Sequence, residues 1–113
     1  MLLHIPRVTE ELVRTETERI QRNRVVIYHS PSCWYSNRAL ALLQRRSAKI
    51  EVVLTRGNPD LRTWLREVTG RTSVPQVFIG GRPVGGYTDL LQLELDAELG
   101  TLLSPTATDA DRT

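Results

Sequence analysis

The sequence predicts an α/β domain with a small mixed four-stranded sheet flanked by helices, preceded by an extra N-terminal helix. Three observations support this class. The length of 113 residues suits one compact domain. The composition, 40% hydrophobic and 25% charged, is near the globular average and excludes disorder of the whole chain. From residue 25 onward, apolar runs of strand length alternate with apolar residues at helical spacing.

Residues 1–24 are predicted to form a helical extension. The segment is rich in charge, and Glu18 precedes Arg22 by four residues, a spacing that favours an exposed helix. Thr9 is a candidate N-cap. Because its apolar stripe is narrow, this helix either packs lightly on the domain or supplies a contact for an oligomer or a partner.

From residue 25 the chain alternates between strands and helices. The β-branched run 25–28 is typical of a buried strand, and the Gly and Pro residues that follow later mark turns. The first predicted elements are strand 25–28, a helix from Cys33 to about Arg46, and strand 50–54. A helix from Asn58 to a stop at Gly70 and strand 76–79 follow. A hairpin turn at 80–81 then leads into 83–84, and a last helix, capped by Thr88 or Asp89, runs through Leu99.

This order places the sheet and its helices. A βαβ start implies parallel strands joined by a right-handed crossover, and the later hairpin adds antiparallel pairing. The predicted architecture is therefore thioredoxin-like. The domain is expected to span residues 25–103, and the tail 104–113, which lacks large apolar residues, is expected to be disordered.

Composition also excludes several functions. The net charge is +2 and the arginines form no dense block, so no nucleic-acid partner is expected. No apolar run approaches the roughly 20 residues of a membrane span, and the first residues lack the features of a signal peptide, so we expect a cytoplasmic protein without a membrane partner. Cys33 is the only cysteine. Intrachain disulfides and four-cysteine metal sites are excluded, and any sulfur chemistry must be intermolecular.

Cys33 is predicted to be a reactive thiol. It falls between a strand and a helix, where unpaired backbone N–H groups and the positive end of the helix dipole favour an anion. A thiolate is such an anion, and it is the form of cysteine that attacks disulfides. His29 and Arg38 are candidates for adding positive potential.

Three segments resemble the motifs of glutaredoxins. Cys-Trp-Tyr-Ser at 33–36 resembles the active site of that family. Gly-Arg-Thr-Ser-Val-Pro-Gln-Val-Phe-Ile at 70–79 is similar to its Thr-Val-Pro stretch, and Gly-Gly-Tyr-Thr-Asp-Leu at 85–90 is similar to its Gly-Gly-x-Asp-Asp-Leu motif. The three motifs occur in the family's order and extend the resemblance over about residues 25–103.

The resemblance implies a role for each matching residue. Cys33 matches the nucleophile, and Tyr35 matches the tyrosine that lines the glutathione groove. Pro75 matches a cis-proline whose preceding residue offers backbone groups to glutathione. Thr88 and Asp89 match positions that hold the γ-glutamyl end. The predicted glutathione-binding residues are Tyr35, Arg71, Val74, Pro75, Tyr87, Thr88 and Asp89.

The chain departs from the usual glutaredoxin at three positions. Ser36 replaces the second cysteine, which leaves monothiol exchange, and its hydroxyl is predicted to assist catalysis by a hydrogen bond to Cys33. Ser30 replaces a lysine that binds the glycyl carboxylate of glutathione. Arg71 is either its substitute or an exposed arginine at a helix end. Trp34 replaces a proline and is expected to lie partly exposed, where it can contact a partner.

Three functions follow from this resemblance. The first is a glutathione-dependent monothiol oxidoreductase, with glutathione as co-substrate, that acts on glutathionylated proteins or low-molecular-weight disulfides. The second is a carrier of a [2Fe–2S] cluster held by Cys33 and glutathione in a homodimer, although the chain lacks the Cys-Gly-Phe-Ser typical of such carriers. The third is a binding module whose Cys33 is silent. The protein is expected to be a monomer or a weak homodimer.

Overall fold

The computed structural model describes residues 7–46 and 49–104. The predicted tail therefore lies outside the described residues, except for Ser104. None of the helices in the described ranges is long and apolar enough to cross a membrane. The elements are α1 (Glu10–Arg22), β1 (Val25–His29), α2 (Trp34–Arg46), β2 (Glu51–Leu54), α3 (Pro59–Thr69), β3 (Gln76–Ile79), β4 (Arg82–Gly85), α4 (Tyr87–Leu95) and α5 (Leu99–Leu103).

The four strands form one sheet in the order β2-β1-β3-β4. Strand β1 pairs parallel with β2 and antiparallel with β3, and β4 continues the antiparallel side. The parallel pair is joined through α2, as the βαβ pattern requires. The predicted mixed four-stranded sheet with flanking helices is confirmed.

The core lies on both faces of β1, whose five residues are all buried. Side chains of a strand alternate between faces, so a strand covered on both sides is a continuous apolar run. Helices α2, α4 and α5 cover one face, and α1 and α3 cover the other. Trp64 of α3 is 3% exposed. The first face buries Val25, Ile27, Leu43, Leu90 and Leu99, and the second buries Ile20, Val26, Tyr28, Leu61, Trp64 and Phe78.

Local sequence determines several helix ends. The Thr9 hydroxyl accepts the Leu12 N–H at 3.1 Å and caps α1, as predicted. Asn58 caps α3 in the same way through the Leu61 N–H, also at 3.1 Å. Gly70 ends α3 with φ at +72°, a conformation that glycine adopts without a Cβ clash.

The last helix was predicted to continue through Leu99, and this prediction is wrong. The chain forms two helices, because Ala97 adopts a left-handed conformation with φ at 59°. The Glu98 N–H then donates to the Leu93 carbonyl at 2.9 Å, which closes the C-terminus of α4. Glycine or asparagine usually occupies such a position, so an alanine there gives no stop signal in the sequence.

A buried carboxylate attaches α1 to the sheet. Glu16 is 4% exposed and accepts the Tyr28 hydroxyl at 2.8 Å. Arg19 donates to Glu16 at 3.1 Å and to Glu51 of β2 at 2.8 Å. Burial, together with the bond to Glu16, raises the pKa of Tyr28, which keeps its hydroxyl a donor. The described part of the extension therefore packs on the domain through polar as well as apolar contacts.

Replacing Glu16 with Ala is expected to lower the free energy of unfolding by about 2 kcal/mol, because the Tyr28 hydroxyl and the Arg19 guanidinium lose a shared acceptor. Urea denaturation followed by circular dichroism measures the change. Glu18→Ala is the matched control: this acid on the same helix is exposed and 4.0 Å from Arg22, and its loss should change stability by less than about 0.5 kcal/mol. Equal effects of the two substitutions would contradict the assigned role of Glu16.

Candidate active site

Cys33 lies immediately before α2, as predicted from the strand–turn–helix pattern. Its N–H donates to the Ser30 carbonyl at 3.0 Å, and its carbonyl accepts the Asn37 N–H at 3.1 Å. Its Sγ is 3.7 Å from the Val74 carbonyl oxygen, and the residue is partly exposed. The thiol is therefore accessible and lies at a helix N-terminus.

The predicted hydrogen bond from Ser36 to Cys33 is wrong. The fully buried Ser36 hydroxyl accepts the Ser30 N–H at 3.0 Å and lies 2.7 Å from His29 Nδ1. Because α2 directs Ser36 inward, against the end of β1, its hydroxyl faces away from solvent. Both groups are satisfied when Ser36 donates to the unprotonated Nδ1 of a neutral His29. Ser36 thus fixes the loop that carries Cys33.

His29 was expected to add positive potential near Cys33, and this expectation is also wrong. The residue is 4% exposed, and burial lowers the pKa of its imidazole below the ordinary value. It is therefore neutral near pH 7. Arg38 is the exposed cation of this region, and its guanidinium carbon lies 5.0 Å from the centroid of the Trp34 ring.

The predicted glutathione-binding residues converge on one groove of about 260 Å³. The groove lies between the first turn of α2, the segment before β3 and the start of α4. The Val74–Pro75 bond is cis, as expected. Val74 also contacts the thiol of Cys33, which places the reactive group at the side of the groove. The groove is lined by Tyr35, Arg71, Val74, Pro75, Tyr87, Thr88 and Asp89, together with Ser73 and Gly86.

Ser73 and Gly86 were not predicted as lining residues. Each lies inside one of the segments that resemble the family and directly precedes a residue that was predicted. The available signal was therefore their position in those segments, since neither residue type points to a ligand by itself.

One end of the groove is built around the Asp89 carboxylate. It accepts the Gly86 N–H at 2.9 Å and pairs with Arg71 at 2.5 Å. A Cβ at Gly85 would collide with this carboxylate, so the backbone approach requires glycine there. The N-cap of α4 is Gly86, and the prediction of Thr88 or Asp89 as the cap is wrong: Asp89 reaches back from the first turn.

The pair limits the roles that Arg71 can have. Its hydrogen bond to Asp89 is the main cause that lowers the pKa of that carboxyl below its ordinary value. Arg71 was expected either to hold the glycyl carboxylate of glutathione or to be an exposed arginine at a helix end, and Asp89 was expected at the opposite, γ-glutamyl end of glutathione. The structure pairs Arg71 directly with Asp89, and this contact does not fit roles at opposite ends of one extended tripeptide.

Three aromatic side chains, Trp34, Tyr35 and Tyr87, form an aromatic rim on the groove. Their ring centroids are 5.0 Å apart for Trp34–Tyr35, 6.3 Å for Trp34–Tyr87 and 6.4 Å for Tyr35–Tyr87. Trp34 is 59% exposed, as predicted, and Tyr35 is 52% exposed. The rim therefore presents aromatic surface to solvent beside Cys33.

The imidazole of His29 is expected to titrate below pH 6.5, its ordinary value, because burial disfavours the charged form. The unfolded chain then takes up this proton at a higher pH than the folded chain. The contribution of the neutral His29 to the free energy of unfolding is therefore complete above pH 6.5 and is lost as the pH falls below that value. A proton NMR titration of the folded protein, with the urea-unfolded chain as the control, measures the midpoint. A folded midpoint at or above the unfolded one would refute the assignment.

Comparison with known proteins agrees with the fold. The glutaredoxin family model matches residues 25–84. A glutaredoxin of Pseudomonas aeruginosa is 44% identical over 80 residues, which cover 71% of this chain and 95% of that protein. Monothiol glutaredoxin-S10 of rice is 41% identical over 86 residues, and the match covers 73% of this chain and only about half, 52%, of that protein's length.

Solved structures share the architecture. The crystal structure of a buckwheat glutaredoxin–glutathione complex superposes with a TM-score of 0.73 at 25% identity, over 84% of this chain and 93% of that one. Glutaredoxins are in general thiol–disulfide oxidoreductases, and a single accessible cysteine at a helix N-terminus is consistent with that chemistry. By its family match, its relatives and its fold, this chain belongs to the glutaredoxin family.

Proposed function

We propose that this glutaredoxin is a glutathione-dependent monothiol oxidoreductase that removes glutathione from protein or small mixed disulfides. The observation that carries the proposal is the convergence of all the predicted glutathione-binding residues on one groove, whose Val74 contacts the Cys33 thiol. The buckwheat relative, which was crystallised with glutathione, supports the choice of ligand.

The first step is attack by the Cys33 thiolate on the glutathione sulfur of the mixed disulfide. A bond forms between Cys33 Sγ and that sulfur, and the bond to the substrate sulfur breaks. The substrate leaves as a thiolate and takes a proton from water. Cys33 directly precedes α2, and the positive end of a helix dipole is a suitable environment for an attacking thiolate.

The second step restores the enzyme. The thiolate of a second glutathione attacks the Cys33–glutathione disulfide, so that glutathione disulfide leaves and the Cys33 thiolate returns. Ser36 takes no part as a nucleophile, because a hydroxyl does not attack disulfides and its oxygen is buried between His29 and the Ser30 N–H. The exchange therefore needs two molecules of glutathione and one protein thiol.

The groove offers a partner for each of the two charged groups of the γ-glutamyl residue. That group carries a carboxylate and an ammonium on the same carbon. Arg71 and Asp89, paired with each other, present one positive and one negative side chain at this end. The N–H groups at the start of α4, near Thr88, add donors for the carboxylate. We therefore assign Arg71 to the γ-glutamyl end of the bound tripeptide.

A [2Fe–2S] cluster would need sulfur ligands from outside this chain. Within residues 7–46 and 49–104, no three His, Cys, Asp or Glu side chains lie close enough together to hold a metal ion. Cys33 is the only cysteine, so three of the four sulfur ligands would come from other molecules. The exchange reaction needs only the one thiol that the chain has.

Replacing Cys33 with Ser is expected to reduce turnover to the uncatalysed rate, because the substitution removes the only thiol. Ser36→Cys is expected to remain active, because Cys33 alone performs the exchange. The assay is the reduction of the mixed disulfide of glutathione and 2-mercaptoethanol, coupled to glutathione reductase and NADPH. Ser32→Ala, a change of an exposed residue beside the nucleophile, is the control. Full activity of Cys33→Ser would exclude the mechanism.

Replacing Arg71 with Ala is expected to raise the KM for glutathione about fivefold with little change in kcat, because the γ-glutamyl carboxylate loses a partner. The pKa of Asp89 should rise toward 3.8, its ordinary value. Steady-state kinetics and a carboxyl NMR titration measure the two effects. Arg66→Ala, at an exposed arginine of α3, is the matched control. An unchanged or lower KM would remove Arg71 from the glutathione site.

A further inference from the structure

The aromatic residues of this chain fall into two sets with opposite environments. The sequence contains two Trp, three Tyr and one Phe. Tyr28, Trp64 and Phe78 pack against one another in the core. The other three form the aromatic rim, in which Trp34 and Tyr35 are more than half exposed. A cluster of exposed aromatic side chains forgoes the stabilisation of burial, and such patches mark contact surfaces.

The aromatic rim is continuous with the groove. Tyr35 and Tyr87 line the groove, and the Trp34 ring meets both edge-on, at interplanar angles of 79°. When the groove holds the glutathione half of a mixed disulfide, the other half extends beyond the groove. The rim is the aromatic surface that borders the groove on the α2 and α4 side.

The charge beside the aromatic rim is positive. The guanidinium of Arg38 lies 5.0 Å from the Trp34 centroid and 6.0 Å from the Tyr87 centroid. Among the described residues, Arg38 makes no ion pair, whereas the acid of this region, Asp89, is already paired with Arg71. The chemistry that complements this surface is an apolar side chain next to a carboxylate.

We propose that Trp34, the member of the aromatic rim that lies outside the groove, and Arg38 together form the docking surface for the polypeptide half of the substrate. The surface favours a glutathionylated cysteine that is flanked by an apolar residue and an acidic residue. This inference rests on the proposed function, since the polypeptide is the leaving group of the first step. Trp34 and Arg38 act here as specificity-determining residues that contact the substrate outside the glutathione groove.

The test compares substrates that share the glutathione half. Three pentapeptides with blocked termini are glutathionylated at a central cysteine, which is flanked by Leu and Glu, by Leu and Lys, or by Gly on both sides. The mixed disulfide of glutathione and 2-mercaptoethanol has no polypeptide and serves as the reference. For the unmodified enzyme we expect the Leu/Glu peptide to have the highest kcat/KM. Its kcat/KM should be about ten times that of the Gly peptide and about five times that of the Leu/Lys peptide.

Two variants assign this preference to residues. Trp34→Ala should remove most of the advantage of the Leu/Glu peptide over the Gly peptide and leave the reference rate within about twofold. Arg38→Glu should invert the preference, so that kcat/KM becomes higher for the Leu/Lys peptide than for the Leu/Glu peptide. Because a general effect of the substitution on Cys33 would change kcat/KM equally for both peptides, it cancels in their ratio. The matched controls are Leu95→Ala, at an apolar side chain that is 72% exposed on α4, and Arg45→Glu, at an exposed arginine of α2.

Several results would overturn the inference. The first is an equal kcat/KM of the unmodified enzyme for the three peptides. The second is a ratio of kcat/KM between the Leu/Glu and Leu/Lys peptides that does not change in Arg38→Glu. The third is a fall in kcat/KM in Trp34→Ala that is equally large for the peptides and the reference disulfide. Light scattering adds another: a dimer that dissociates on Trp34→Ala would show that a second copy of the chain, and not a substrate, covers the aromatic rim.

Failure of the proposed function has a different signature. In that case the unmodified protein would not turn over even the reference disulfide, and the docking surface would be judged by binding alone. Cys33→Ser, which cannot react, is titrated with the Leu/Glu and Gly peptides while tryptophan fluorescence is recorded. Trp64 is 3% exposed, so protection from acrylamide quenching reports on Trp34. Protection by the Leu/Glu peptide only would support docking, and protection by neither peptide would exclude it.

Discussion

The burial of β1 on both faces is the constraint on which the rest of the structure depends. Strand β1 is central in the sheet and pairs antiparallel with β3. The C-terminal end of β1 therefore lies beside the start of β3, where Tyr28 pairs with Gln76. The turn after β1 and the segment before β3 therefore lie at the same edge. This brings the Cys33 thiol to the Val74 carbonyl, although the two residues are 41 positions apart in sequence. The reactive group and one wall of the groove thus follow directly from strand pairing.

Polar contacts hold the two segments that border the groove, the loop before α2 and the start of α4. The hydrogen bonds of Ser36 to His29 and to the Ser30 N–H hold the loop before α2, so the nucleophile is supported by buried groups that do not touch it. At the other end of the groove, Asp89 joins the start of α4 to Arg71. Each contact links two segments of the chain, and together they shape a groove with a partly exposed thiol at its side.

The sequence predicted the features that depend on local pattern. The order of strands and helices and the Thr9 cap follow from apolar spacing and residue type, and the lining residues of the groove follow from resemblance to a family. Features that depend on partners distant in sequence were not predicted: the burial of Glu16 under Tyr28, and the pairing of Arg71 with Asp89, 18 positions away. A side chain's type does not specify which of several possible partners it meets, since packing decides that.

In the proposed mechanism, Cys33 takes glutathione, and not the polypeptide, from a mixed disulfide. Intact-mass spectrometry after rapid acid quenching tests this most directly, with the reduced protein mixed with one equivalent of a glutathionylated peptide and no free glutathione. The account predicts that one glutathione becomes attached to the protein at Cys33 while the peptide is released as a free thiol. Attachment of the peptide to Cys33, or recovery of an unmodified protein, would contradict it.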